Sequence, residues 1–190
     1  MRRPRQFAGY VDAEILQAVN ALHLRVVNDQ WRDGRLFQTL IDDHLFRFGH
    51  KHLAQQGTAT QISTTFFGYA NLAIDGNDNP YYRNRSCSHT GFNENSWWKV
   101  DLGDSYWITE VVITNRQDCC SERIDGAVVT IGDNFDISQN NQCGDQVDWD
   151  ANTYDVKIPF ECHLRGRYVG VTLRDHTNWL HLCEVEVYSD

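Results

Sequence analysis

The stretch Arg116-Gln117-Asp118-Cys119-Cys120-Ser121-Glu122-Arg123, with His89 inside Ser86-Cys87-Ser88-His89-Thr90, gathers two guanidiniums, a carboxylate, an imidazole and two adjacent cysteines. These groups suit the grip of a polyhydroxylated ring. A neutral pyranose offers hydroxyls that donate and accept, and a ring oxygen that only accepts. Arginine answers with a rigid planar fork of donors that keeps its charge. A carboxylate between the arginines, Asp118, can hold their forks in place without touching a ligand. Adjacent cysteines, if bonded to each other, form a small rigid ring whose apolar face can lie against C–H groups. Cleavage of a glycoside would need two carboxylates facing each other across a pocket, and the motif offers one, set between arginines. By residue type alone the same set also describes surface ion pairs and cysteines bonded elsewhere.

The 190 residues suffice for one full domain and an extension. Lysine and arginine number 17 against 26 acidic residues, a net charge of −9. The first fifty residues hold seven basic and six acidic side chains and the remaining 140 hold ten and twenty, so the larger part is distinctly acidic. An acidic domain repels phosphate backbones, which argues against nucleic acid and against an anionic membrane surface. No apolar run approaches the roughly 20 residues of a membrane span. Met1-Arg2-Arg3-Pro4-Arg5 looks like a signal-peptide start, but no apolar run follows it.

Six cysteines, Cys87, Cys119, Cys120, Cys143, Cys162 and Cys183, form an even set without Cys-x-x-Cys spacing. That favours disulfides over a metal cluster and an extracellular, oxidising setting. Their pairing is open at this point.

Two textures divide the chain, at residues 1–50 and 51–190. Val11, Ile15, Val19, Leu22 and Val26 recur at steps of three and four, and Leu36, Phe37, Leu40, Ile41 and Leu45 resume the stripe after Asp33-Gly34. Residues 10–47 are therefore expected to be helical. So short a helical pair must bury its stripe on the following domain or on other copies of itself, and a homo-oligomer (a trimer among the options) is one expectation. Beyond His50, short runs rich in β-branched and aromatic residues alternate with Asn, Asp and Gly, as in Trp107–Thr114, Gly126–Ile131, Arg167–Leu173 and Leu182–Tyr188. This is the pattern of an all-β sandwich or jelly roll with long loops.

Spacing sharpens the reading. Twenty-six residues separate His89 from Arg116, Asp118 follows one residue later, and four more lead to Arg123. This resembles the His-x26-Arg-x-Asp-x4-Arg/Lys signature of the F-type lectins, the fucose-binding lectins named after eel agglutinin. The similarity runs from about residue 52 to 190, through His52-Leu53-Ala54, Ala73-Ile74-Asp75-Gly76-Asn77, Trp97-Trp98-Lys99-Val100-Asp101-Leu102-Gly103, Gly166-Arg167-Tyr168-Val169 and Leu180-His181-Leu182-Cys183-Glu184-Val185-Glu186-Val187. The first fifty residues have no counterpart in it.

The resemblance implies an eight-stranded jelly roll related to discoidin-type, galactose-binding-like domains. It implies a non-enzymatic lectin for L-fucose and fucosylated glycans, in which His89, Arg116 and Arg123 contact the axial O4, the neighbouring O3 and the ring oxygen. It also implies a vicinal disulfide Cys119–Cys120 that stacks on the sugar, with further bridges Cys87–Cys183 and Cys143–Cys162. A structural Ca2+ beneath the loops would take carboxylate oxygens from Asp75 and Glu184, the hydroxyl and carbonyl of Ser86, and carbonyls of Leu72, Asn77 and Cys183. A hard cation prefers such an all-oxygen shell. Asn84-Arg85-Ser86 is a glycosylation sequon, expected to stay unmodified with Ser86 buried at that site.

The apolar pocket for the fucose methyl is built in this family from variable loops, and the first of them is shorter here. Tyr82 and one of Phe66 and Phe67 are the expected walls, the alternative being that both phenylalanines are core. Trp97 and Trp98 are expected in the core, and His181 to be structural. The competing function is a discoidin-like adhesion module that binds protein or lipid and keeps a vestigial sugar pocket.

Overall fold

Valine, isoleucine, threonine and aromatic residues at alternate positions favour extended chain, because branched side chains pack well on a pleated surface. The computed structural model describes residues 51–150 and 155–189. Eleven strands form there: β1 (Lys51–His52), β2 (Thr58–Gln61), β3 (Ser88–His89), β4 (Asn93–Glu94), β5 (Trp97–Thr114), β6 (Ala127–Gly132), β7 (Asn141–Cys143), β8 (Lys157–Leu173), β9 (Thr177–Asn178), β10 (His181–Leu182) and β11 (Glu184–Ser189). Helix among the described residues is confined to short 3-10 turns of three or four residues. The helical reading of residues 10–47, and the segment 1–50 with it, lies outside the described residues.

The main sheet has seven strands, in the order β1-β11-β5-β8-β6-β7, with β2 added to β5. Two ribbons, β10-β3 and β4-β9, complete the domain. The two long strands serve both layers. The start of β5 (Trp98–Asp101) pairs with β2 and with Tyr168–Val171 of β8, which continues into β6. The end of β5 pairs instead with β11 and with the start of β8. The register slips between Asp101 and Tyr106 and again between Ile108 and Glu110. Such bulges bend a strand from one layer into the next, and Gly103 supplies a positive φ of 83° at the bend.

Trp98, Val100, Val129, Ile131, Val169 and Val171 meet Ile108, Val111, Ile113, Val185 and Val187 in one core. Trp98 is fully buried and donates its indole N–H to the Ala70 carbonyl at 2.9 Å. Trp97 is not a core residue. Successive side chains on a strand point to opposite faces, so Trp97 is half-buried on the outer face, 5.4 Å from the Lys99 ammonium.

All six cysteines are bonded, as Cys87–Cys183, Cys119–Cys120 and Cys143–Cys162. The first bridge ties the loop before β3 to the residue between β10 and β11, where His89 faces His181 across the β3-β10 ribbon.

Candidate functional site

The site begins at β3, where His89 is almost wholly buried. Its Nδ1 lies 2.6 Å from the Thr90 carbonyl and 2.9 Å from the Thr65 hydroxyl, which itself donates to that carbonyl. A carbonyl only accepts, so Nδ1 carries the proton and Nε2 is left as an acceptor. Burial pushes the His89 pKa below its ordinary value, and Arg116 and Arg123 push the same way against the Thr90 bond. The ring is therefore neutral at physiological pH.

The loop after β2 is laced to this histidine. Thr65 N–H donates to the His89 carbonyl at 3.0 Å and His89 N–H to the Gly68 carbonyl at 2.9 Å. A side chain at position 68 would meet the His89 Cβ at 2.4 Å, so glycine is what lets the loop close. Phe66 then presents its edge to the imidazole at 5.3 Å, and Tyr82 does so from the other loop at 5.5 Å. The Tyr82 hydroxyl donates to the Phe66 carbonyl and joins the two loops.

Arg116 follows the end of β5. Its Nε donates to Asp118 Oδ1 at 2.6 Å and its Nη2 to Oδ2 at 3.4 Å. Asp118 also accepts from Tyr82 N–H at 3.3 Å. Although burial opposes it, these donors hold the Asp118 carboxyl below the usual range. The guanidinium thus lies fixed, 4.5 Å from the centre of the Tyr82 ring, with its other N–H groups uncommitted to Asp118.

Cys119–Cys120 comes next. Cys120 adopts a left-handed backbone (φ 61°) and opens the 3-10 turn Ser121–Ile124, whose Arg123 N–H donates back to the Cys120 carbonyl at 3.2 Å. The Arg123 guanidinium lies 4.3 Å from the centre of the Trp179 ring and donates to His181 Nε2 at 3.3 Å. His181 is buried with its ring 4.0 Å from His89. Burial, then His89 and both arginines, push its pKa down to about 2. Two cations, a neutral acceptor and aromatic rings are thus linked by contacts around His89, with the disulfide in the chain between the two arginines. This set can donate and accept hydrogen bonds to neighbouring hydroxyls while meeting an apolar group.

Of the residues anticipated from sequence, His89, Arg116, Asp118, Arg123, Tyr82 and Phe66 come together here. Phe67 stands apart, 82% exposed, and Phe66 is 71% exposed, so neither is core. Thr65, Trp179 and the part played by His181 were not foreseen. Thr65 and His181 reach His89, and Trp179 reaches Arg123, through contacts between distant loops and strands that local spacing does not reveal.

Beneath the loops lies the oxygen-rich set. Glu184 is buried, accepts the Gly76 N–H at 3.2 Å through Oε1, and its Oε2 has no hydrogen-bond partner. Burial raises its pKa, and the nearby Asp75 charge raises it further against His52 and the Gly76 N–H. Asp75 Oδ1 accepts the Asn77 N–H at 2.9 Å, and the buried Ser86 hydroxyl contacts the Asn79 and Tyr81 carbonyls at 2.6 and 3.1 Å. The Cys87–Cys183 bridge joins the neighbours of Ser86 and Glu184. Among the described residues no three His, Cys, Asp or Glu side chains converge on a metal position. The donors on offer are two carboxylates, a hydroxyl and carbonyls. A buried carboxylate oxygen without a partner is what a hard cation would satisfy, so the residues fit one.

Residues 72–171 match the family model of the NedA-like, galactose-binding domain, and fold and site together define a galactose-binding-like β-sandwich. Fucolectin-6 of Anguilla japonica is 42% identical over 149 residues, covering 74% of this chain and 77% of its own. Fucolectin of Anguilla anguilla is 38% identical over 153 residues, 75% of this chain and 94% of that one. The chain belongs to the fucolectin, or F-type lectin, family, whose members are lectins rather than enzymes. Among solved structures, the fucolectin from striped bass (Morone saxatilis) serum superposes with a TM-score of 0.68 at 36% identity, over 74% of this chain and 47% of that one. This chain thus spans about half of the bass protein. The lectin domain of lectinolysin complexed with Lewis B antigen gives a TM-score of 0.64 at 30% identity, over 74% and 97%.

Proposed function

We propose that this protein is a secreted, calcium-stabilised lectin that binds L-fucose and fucosylated glycans without catalysis. The observation that supports the proposal is that both guanidiniums act on the neutral His89 ring, with the Cys119–Cys120 disulfide lying in the chain between Arg116 and Arg123. Arg116, held by Asp118, and Arg123, held by His181 and Trp179, donate to adjacent sugar oxygens. His89 Nε2 accepts from the axial hydroxyl. Cys119–Cys120 lies against the C–H face, and Tyr82 with Phe66 receives the methyl group. The names of the relatives support fucose as the sugar, and three disulfides suit an extracellular setting.

Glu184 and Asp75 would hold Ca2+ with the Ser86 oxygens and the carbonyls of Leu72, Asn77 and Cys183. Bound there, the ion would neutralise the buried Glu184 carboxylate, and Asp75 and Ser86 would tie their loops to it. Exhaustive chelation is expected to lower the melting temperature by several degrees, since a ligand bound only to the folded state stabilises it. An unchanged melting temperature removes the calcium reading.

Calorimetric titration of the oxidised protein with L-fucose, D-galactose and the Arg116→Ala variant tests the function. L-Fucose is expected to bind in the millimolar range or tighter, and Arg116→Ala to weaken it at least about tenfold. If neither sugar binds, the adhesion-module alternative takes its place.

A further inference from the structure

We propose that a second cleft beside the fucose pocket takes an anionic glycan residue, one bearing a sulfate or a carboxylate, and that Arg83 and Arg85 select it. The inference rests on the lectin reading and adds to it the class of glycan.

The cleft has a volume of about 680 Å³, within the range of ligand sites. Phe66, Phe67, Tyr69, Tyr82, Arg83 and Arg85 are among its walls. Phe66 and Tyr82 are also the two rings set edge-on to His89. The cleft and the fucose pocket therefore share a wall, and a glycan longer than one ring reaches from one to the other.

The backbone around this cleft is held in an unfavourable conformation. Seven described non-glycine residues have a left-handed φ, and three of them line it: Phe66 at 51°, Phe67 at 63° and Arg85 at 58°. Bulky side chains rarely adopt this region, which glycine or asparagine enters without strain. Arg85 ends the 3-10 turn Tyr82–Asn84 in that conformation, a position normally left to glycine. Such outliers persist where surrounding bonds impose them, and they cluster at binding sites. Here the Tyr82 hydroxyl holds the Phe66 carbonyl, and Arg85 N–H donates to the Tyr82 carbonyl at 2.9 Å.

Charge identifies the occupant. Arg83 and Arg85 are exposed, and among the described residues neither forms an ion pair, whereas Arg116 is bonded to Asp118 and Arg167 to Asp101. Two uncompensated guanidiniums on a chain of net charge −9 add positive charge along one wall of the cleft. A guanidinium fork adds charge-assisted bonds to the paired oxygens of a sulfate or carboxylate.

The test titrates the full chain with L-fucose and with a fucosylated lactosamine trisaccharide in three forms: neutral, sulfated on galactose, and sialylated on galactose. The comparison is the Arg83→Ala/Arg85→Gly double variant, in which glycine suits the left-handed position and L-fucose binding reports correct folding. The protein is expected to bind at least one anionic form about fivefold tighter than the neutral one at low salt. The gain should shrink at high salt and vanish in the variant, with L-fucose affinity unchanged. The sulfated and sialylated arms separate the two anion chemistries. Equal affinity for all three forms by a chain that binds L-fucose overturns the proposal and leaves the lectin reading standing, as does a gain that survives in the variant. Failure to bind any of them, L-fucose included, overturns both.

Discussion

Protonation of His89 would remove the acceptor that the proposed function assigns to the axial hydroxyl, which predicts a definite response to acid. The His89 pKa lies below the ordinary histidine value and that of His181 is pushed down to about 2, while an unfolded chain titrates both near 6.5. As pH falls, the unfolded chain gains these protons first. The stability linked to the two neutral rings is fully present above about pH 6.5 and is lost as pH falls toward the folded-state values. Fucose affinity is expected to stay level from about pH 8 to about pH 6.5 and to decline below, because the depressed pKa delays His89 protonation. Titrations and melts across that interval check both, and an affinity that rises on acidification would rule out the acceptor role. Asp118 acts through Arg116, so Asp118→Asn is expected to reduce affinity about tenfold while the fold persists, as near-native melting alongside weakened titration would show.

The elements that carry these residues are short and are fixed by loop contacts more than by sheet hydrogen bonds. Gly68 is the tightest of those contacts. In Gly68→Ala the added methyl meets the backbone and Cβ of His89, which cannot swing aside like a side-chain tip. A loss of about 1–3 kcal/mol of stability is expected from such overpacking, together with weakened fucose binding, both readable by denaturant titration and calorimetry. The disulfides divide in the same way. Cys87–Cys183 spans 96 residues in sequence, so its replacement by serines is expected to cost about 2–5 kcal/mol. Cys119–Cys120 closes no loop beyond adjacent residues. Its replacement is expected to leave the melting temperature nearly unchanged and to impair sugar binding, and a large drop in melting temperature would show that it acts as a staple instead.

For the molecule as a whole, a single monosaccharide site is expected to bind weakly, because a small ligand buries little surface against the entropy of association. Useful avidity comes from several linked sites. The apolar stripe running from Val11 to Val26 supplies a sequence-based reason to expect assembly through residues 1–50. Light scattering of the full chain should then return a multiple of 22.0 kDa. A monomeric mass would remove that expectation and leave the stripe to be buried within one chain.

The sequence by itself determined the β-rich class and the acidic character, and a spacing that resembles the F-type lectin signature singled out His89, Arg116, Asp118 and Arg123. It could do so because side-chain chemistry and period-2 patterning are local properties of the chain. It did not separate Trp97 from Trp98, although strict alternation on a strand forbids both from facing one core. It also left Phe66 and Phe67 between core and site. Only the tertiary structure decided that His181 backs His89 across the β3-β10 ribbon, that Trp179 lies against Arg123, and that Phe66 faces the imidazole while Phe67 turns to the neighbouring cleft. Those contacts join residues separated by 23 to 92 positions, and no local periodicity encodes a pairing that loop closure and strand register create.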